Sequence, residues 1–247
     1  MPFDLPLTLA TALAVALFAA ALVRGYSGFG FSAIFLAFAA LVTDPVPLIP
    51  VVFMGEIAMT AVQARGIRGH VDWLRVVWML LGAALTLPLA IMAVLALPTE
   101  TVRLAISTVI LAMALVMLAG WTLKSRLSLP AHTGVGMIAG IANAAGVGGL
   151  PVAACLTAQP VPPATFRATM IVFLTGIDLL TIPLMGLGGN ITAQTFVAAL
   201  WALPILVAGT LLGNRRFAAA PPAAFRRFAV WLLLILAAAG VIRALLS

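Results

Sequence analysis

Apolar residues run in long blocks along this chain, interrupted by short clusters of glycine, proline and charge rather than by regular polar alternation. Ten blocks stand out: 7–23, 29–42, 46–63, 73–97, 101–123, 133–145, 149–158, 168–187, 195–213 and 228–246. At a rise of about 1.5 Å per residue, a helix needs about 20 apolar residues to cross a hydrocarbon core of ~30 Å. The third to fifth blocks and the last three meet that length, with some tilt, and the first is marginal at about seventeen residues. The second, sixth and seventh, of about fourteen, thirteen and ten residues, reach only partway. A barrel strand takes only ~9–11 residues, so these blocks predict helices.

The short blocks fall in two pairs, the second with the marginal first block and the sixth with the seventh, and each pair is joined by a glycine-rich break. The first reads Arg24, Gly25, Tyr26, Ser27, Gly28, Phe29, Gly30; the second reads Asn143, Ala144, Ala145, Gly146, Val147, Gly148, Gly149, Leu150, Pro151. Glycine clusters unwind a helix by permitting backbone angles that other residues resist. Pro151 then suits the first turn of a new helix, where its missing N–H is not needed. Each pair therefore reads as a broken or re-entrant helix pair, two pieces meeting at an unwound loop inside the membrane.

The same order recurs at an offset of roughly 120 residues, the signature of an internal repeat. Gly28 and Gly30 fall on Gly146 and Gly148, Pro45 on Pro163, Glu56 on Asp178, Pro98 on Pro221 and Arg103 on Arg226. The expected organisation is a first transmembrane repeat over 1–123, a cytoplasmic linker over 124–132 and a second repeat over 133–247, each of about five helical segments. Charge then orients the copies. The loop after the third segment carries Arg65, Arg68 and Arg75, whereas its counterpart, 188–195, carries none. The loop after the fourth holds Glu100 and Arg103; its counterpart holds Arg215, Arg216, Arg226 and Arg227, and Lys124 and Arg126 mark the linker. By the positive-inside rule, matching loops lie on opposite faces of the membrane. The expected fold is an all-α integral membrane protein of two inverted-topology repeats, with both termini outside.

Composition agrees with that reading. Of 247 residues, 64% are apolar and only 8% charged, against roughly 25% charged in a soluble domain; mean hydropathy is +1.25. This excludes a soluble enzyme, a nucleic-acid-binding module and a disordered chain, and makes the lipid bilayer the first partner. The net charge of +7 orients the protein rather than binding nucleic acid. The single cysteine, Cys155, excludes an intramolecular disulfide and reads as a small packed residue. With no basic residue ahead of the first block, a cleaved signal peptide is not expected. The five tryptophans (Trp73, Trp78, Trp121, Trp201, Trp231) lie partly at block ends, as interface anchors or packing residues do.

Inverted repeats with broken helices are the pattern of secondary transporters, whose sites lie at the repeat interface near the midplane. The N–H groups of unwound loops, with the positive ends of the helices that follow, form an anion site worth roughly 0.3–2 kcal/mol per helix end. The candidate substrate-binding residues are Arg24, Tyr26, Ser27, Gly28, Phe29 and Gly30 in one half and Asn143, Gly146, Val147, Gly148 and Gly149 in the other. The competing reading is that the glycines only let helices approach closely, as in Gly136-x-x-x-Gly140. Glu56 and Asp178 lie inside symmetry-matched apolar blocks, where an ionisable side chain is costly. They either carry protons or neutralise a buried cation. Arg24 is such a cation, a direct anion ligand, or a side chain snorkelling from a helix end. Gln159, Arg167 and Thr175 are weaker candidates. His70 and His132, read as loop residues, have no second metal ligand at suitable spacing, and no Walker loop is present, so neither a metal nor another cofactor is expected.

The two glycine loops, Gly25 to Gly30 (GYSGFG) and Gly140 to Pro151 (GIANAAGVGGLP), with a proline-bounded segment after each, resemble the sulfite exporter TauE/SafE family over nearly the whole chain. The resemblance implies a bacterial inner-membrane permease that moves sulfite, sulfonates or related sulfur-containing anions, usually outward. The expected function is alternating-access export of a small anion, with protons as a candidate coupling ion. A passive anion channel and a membrane-embedded enzyme or assembly factor stay open as alternatives, as does the oligomeric state.

Overall fold

The first helix, α1 (Leu7–Ser27), starts behind Pro6 and stops at Gly28, which takes the left-handed conformation (φ 83°) and donates its N–H to the Arg24 carbonyl. Gly30, also left-handed at φ 90°, opens α2 (Phe31–Val42). Two such residues within three positions turn the chain at a small steric cost only if both are glycine. After a 3₁₀ turn (Val46–Leu48) come α3 (Ile49–Ile67), α4 (Trp73–Ala96) and α5 (Thr99–Leu118). The order then repeats with α6 (Leu129–Ala144), a break through Gly146 (φ 78°), α7 (Gly149–Ala158), α8 (Pro163–Leu187) and α9 (Ala193–Phe217). This computed structural model describes residue 3, residues 5–217 and residues 230, 231, 234, 235, 237–239 and 242. Block 228–246 and the repeat partners Pro221, Arg226 and Arg227 therefore lie largely or wholly outside the described residues.

Every regular element among the described residues is helical, and six are long and apolar enough to cross a membrane: α1, α3 with its 3₁₀ turn, α4, α5, α8 and α9. The helix α2, of 12 residues, and α7, of 10, are too short. Large apolar side chains face outward, Leu81, Leu85, Leu89 and Met92 along α4 among them, as they should where lipid replaces water. Trp73, Trp121, Trp201 and Trp231 are exposed in the same way.

Packing joins the two halves of the sequence. The helix α1 lies along α9, and α6 lies along α4; α3 packs on α9 and α8, and α8 on α4. Close backbone approach makes the first two contacts possible. A Cβ on Gly136 would overlap the Met79 carbonyl and one on Gly82 the Thr133 carbonyl, which seals α4 to α6. Gly25 and Gly209 admit α9 and α1 to each other in the same way, a Cβ on Gly25 falling 2.5 Å from the Thr210 carbonyl.

The structure corrects several boundaries. Both breaks are narrower than the sequence implies: Arg24 to Ser27 complete α1, Asn143 and Ala144 complete α6, and Gly149 to Pro151 belong to the first turn of α7. Gly25 stays helical because α9 packs against it. His132 is not a loop residue; with Pro130 in the first turn, α6 starts early enough to bury it. The helix α8 starts at Pro163, five residues ahead of its apolar block, because Pro163 and Pro162 fix the entry.

One consequence is a paired expectation for α6. Gly136→Ala should lower the thermal midpoint in detergent, since overpacking a sealed contact costs about 1–3 kcal/mol. Gly134→Ala, with no neighbouring atom within 4 Å of its Cβ position, should be neutral or raise it. Equal midpoints for the two variants would contradict the sealed α4–α6 contact.

Candidate functional site

Each break is covered by helices of the opposite half. A Cβ on Gly28 would sit 2.8 Å from Cγ of Arg167 on α8, and Phe29 meets Phe166 edge-on with ring centroids 5.8 Å apart. The second break meets the first half in return: a Cβ on Gly146 would overlap Leu36 of α2 and come within 3.7 Å of Ile49 at the start of α3. Gly28, Phe29, Gly30 and the run 142–150 are all buried. Neither loop is exposed to lipid, as irregular backbone at membrane depth requires.

The loop N–H groups divide into two sets. Gly28 donates to Arg24 O, Gly146 to Asn143 O and Val147 to Ala142 O, so these close the ends of α1 and α6. Ser27 Oγ accepts from the Phe29 N–H and lies 2.8 Å from Val23 O, tying the first break to its own helix. Among the described residues, the donors left without an intrahelical acceptor are those of Gly30 and Gly148 and of the first turns of α2 and α7, around Phe31 to Ala33 and at Gly149. The positive end of each short helix thus begins just past its glycines. Tyr26 is buried beside α9, where its backbone N lies 2.9 Å from the position of a Cβ on Gly213.

Behind the breaks lies a buried polar cluster built from four helices. Arg24 is 0% exposed, Glu56 1% and Asp178 0%. Arg24 does not snorkel. Its Nη1 stands 3.4 Å from Glu56 Oε1, and its Nη2 donates to Thr60 Oγ1 at 3.0 Å and to the Glu56 carbonyl at 3.4 Å. Asp178 faces Glu56, with Arg24 and the Asn143 amide also acting on it. Asn143 Nδ2 donates to Thr181 Oγ1 at 2.9 Å, and the Asn143 side chain fills the space beside Gly148, 2.6 Å from where a Cβ would stand. Asn143 therefore touches both the second break and the Asp178 neighbourhood.

The cluster extends toward the arginine-rich end of the molecule. Thr175 Oγ1 of α8 donates to Thr60 Oγ1 of α3 at 2.7 Å. Further along, the Gly25 carbonyl accepts from Arg167 Nη2 at 2.7 Å and from Gln63 Nε2 at 3.4 Å, and Arg167 also donates to Asn214 Oδ1 at 2.6 Å. Of the weaker sequence candidates, Arg167 and Thr175 join this column. Gln159 does not: it caps α7, accepts from Leu127 N–H at 3.0 Å and donates to Cys155 O at 3.2 Å, holding the linker to the short helix. His132 Nε2 lies 3.4 Å from its amide.

Sequence reasoning passed over Thr60, Gln63, Thr181 and Asn214. A signal was available for three of them. Glu56, Thr60 and Gln63 fall on one face of α3, and Thr175, Asp178 and Thr181 on one face of α8, as polar stripes at helical spacing in apolar helices. Asn214 had none, being one polar residue at the arginine-rich end of α9.

The comparisons with known proteins bear on this arrangement. No curated protein and no solved structure gives a significant match to the chain. A family profile does: the one described as sulfite exporter TauE/SafE matches residues 12–240. With nearly its whole length covered by that profile and six membrane-crossing helices beneath it, the chain belongs to the TauE/SafE sulfite exporter family of membrane transporters.

Proposed function

We propose that the chain exports small sulfur-containing anions, sulfite or sulfonates, from a bacterial cytoplasm by alternating access between two inverted halves. The observation that carries the reading is the reciprocal cover of the breaks: the first lies against α8 and the second against α2 and α3. A substrate bound at either break would contact both halves, which is what a site at a moving interface needs. The exchange of packing partners, α1 with α9 and α6 with α4, supports inverted repeats, because it is the pattern a two-fold axis between the halves would produce.

The anion is held by the first-turn N–H groups of α2 and α7 and by Asn143, with Tyr26, Ser27 and Phe29 shaping the approach. Arg24 and Arg167 supply positive charge behind the first break. An anion desolvated at that depth is stabilised by fixed donors and helix ends rather than by water. Glu56 and Asp178 are the acids available for coupling or for ion pairing.

Three outcomes check this. In proteoliposomes preloaded with sulfite, external labelled sulfite should exchange, and methanesulfonate or another small sulfonate should compete better than acetate. Exchange no faster than in protein-free vesicles would remove the function, and conductance without counterflow would make it a channel. Secondly, Gly148→Ala should displace Asn143 and cut flux by about tenfold, the equivalent of ~1.4 kcal/mol, with the protein still inserted; undiminished flux would take the second break out of the mechanism. Thirdly, topology can be read on a Cys155→Ala background. An impermeant maleimide should label Gly189→Cys from outside intact cells and His70→Cys only after permeabilisation. Labelling of both from one side would overturn the inverted arrangement.

A further inference from the structure

The repeat places two polar pairs at equivalent positions, and they are not alike. In the first half, Arg24 in the last turn of α1 faces Glu56 on α3; in the second, Asn143 in the last turn of α6 faces Asp178 on α8. One acid has a cation and the other has an amide. The Asn143 amide stands near Asp178 but donates to Thr181, and among the described residues no donor reaches either oxygen of Asp178 with hydrogen-bond geometry. The donor contacts of Arg24 among the described residues go to α3, to Glu56 and Thr60.

Charge counting sharpens the contrast. The centre holds one cation, Arg24, and two carboxylates, all at most 1% exposed. With all three ionised it carries a net negative charge away from water, a costly arrangement unless a further group offsets it. Among the described residues, Glu56 and Arg24 are the charges that act on Asp178. Arg167 lies on the same helix eleven residues before Asp178, about 16 Å along the axis, and is engaged by Gly25 and Asn214. Arg75 of α4 is paired with Asp72 at 2.8 Å, and Cys155 of α7 lies against Gln159. A proton on Asp178 supplies the donor that the two facing acids otherwise lack.

We infer that Asp178 binds one proton for each anion carried and that the two bind together, while Glu56 is the fixed partner of Arg24. This rests on the anion site proposed above and adds its coupling. In the loading step a proton leaves a hydronium ion at the open face, an O–H bond forms on the Asp178 carboxylate, and its charge goes from −1 to 0. In unloading, that O–H bond breaks toward water on the other face. An anion arriving beside Asn143 raises the cost of an ionised Asp178, so each ligand favours the other, by the same factor in both directions. A monovalent anion and its proton then cross without net charge, and the flux follows the pH difference instead of the membrane potential. An acid-outside gradient opposes export, which therefore proceeds where the cytoplasmic excess of the anion exceeds that gradient.

Two measurements test this. The first needs no substrate. Infrared spectra of the purified protein at neutral pH should contain a protonated-carboxyl stretching band that disappears in Asp178→Asn and persists in the exposed-acid control Glu100→Gln. No such band in the wild type, or one that survives in Asp178→Asn, would place the proton elsewhere and overturn the inference. The second uses methanesulfonate, which has no membrane-permeant acid form at neutral pH. An acid-outside gradient should drive its accumulation at least tenfold in wild-type proteoliposomes, with no dependence on membrane potential, and Asp178→Asn should abolish the accumulation while counterflow becomes flat with pH. Potential-driven, pH-independent flux would sink the coupling and leave the transport function standing. Absence of any anion flux would count against the transport function, and the infrared band would still decide the proton.

Discussion

Backbone that leaves a helix inside a bilayer must be enclosed by protein, and this constraint organises the molecule. Two short helices, α2 and α7, cannot cross the membrane, and the turns that lead into them carry peptide groups outside regular helix. Lipid cannot satisfy such groups, each of which would cost several kcal/mol uncovered. Either half alone would leave a turn open. Arg167 and Phe166 close over the first, and Leu36 with Ile49 over the second. The halves are therefore interleaved, α1 beside α9 and α6 beside α4, because each supplies the cover that the other lacks.

Covering the turns brings the costly side chains together. Arg24 ends the helix before the first turn and Asn143 the helix before the second, so both are carried to the same depth as the turns themselves. The acids on α3 and α8 meet them there. A lone charge at that depth would be expensive, and removing one member of a buried pair costs about 3–5 kcal/mol because its partner is stranded. The contact between Arg24 and Glu56 thus holds α1 to α3 as firmly as it serves any ligand, and hydroxyl contacts such as Thr60 to Thr175 complete the join between halves.

The helical class, five of the long spans (α3, α4, α5, α8 and α9) and the two broken pairs were legible in the sequence because block length and glycine position act locally; the block that became α1 was marginal, and block 228–246 lies largely outside the described residues. The helix α7 begins and ends where its block does, at Gly149 and Ala158. What escaped was set by contacts distant in sequence. Gly25 reads as part of a break, yet the approach of α9 keeps it helical. Arg167 reads only as a weaker site candidate and turns out to plug the turn at Gly28 from the other half. Arg24 was open between a functional role, as an acid's partner or an anion ligand, and snorkelling; its burial against Glu56, 32 residues away, depends on how α1 crosses α3, which no local pattern encodes. Gln159 reads as a site candidate because it is polar beside an apolar run, whereas it fastens the linker to α7.

The kind of contact at each seam also says which parts can move together under the proposed alternation. Along α1–α9 and α4–α6 the backbones meet where a single Cβ would collide, at Gly25 and Gly213 in one and at Gly82 and Gly136 in the other. Such seams cannot slide without clashing, and packed interiors shift between discrete arrangements rather than yielding continuously. Each helix pair is then a rigid body spanning both halves, so the proposed alternation moves such pairs against the helices that carry the turns instead of sliding one half past the other along these seams. The contacts that close the turns are different in kind: Arg167 Cγ at Gly28, Leu36 Cδ1 at Gly146 and the Thr60–Thr175 hydroxyl pair are side-chain ends, several of them on flexible stems. Rotamer changes there uncover a turn without breaking a helix. A substrate that took over the role of these side-chain plugs would favour the conformations in which they withdraw, and that preference links binding at the turns to motion of the helix pairs.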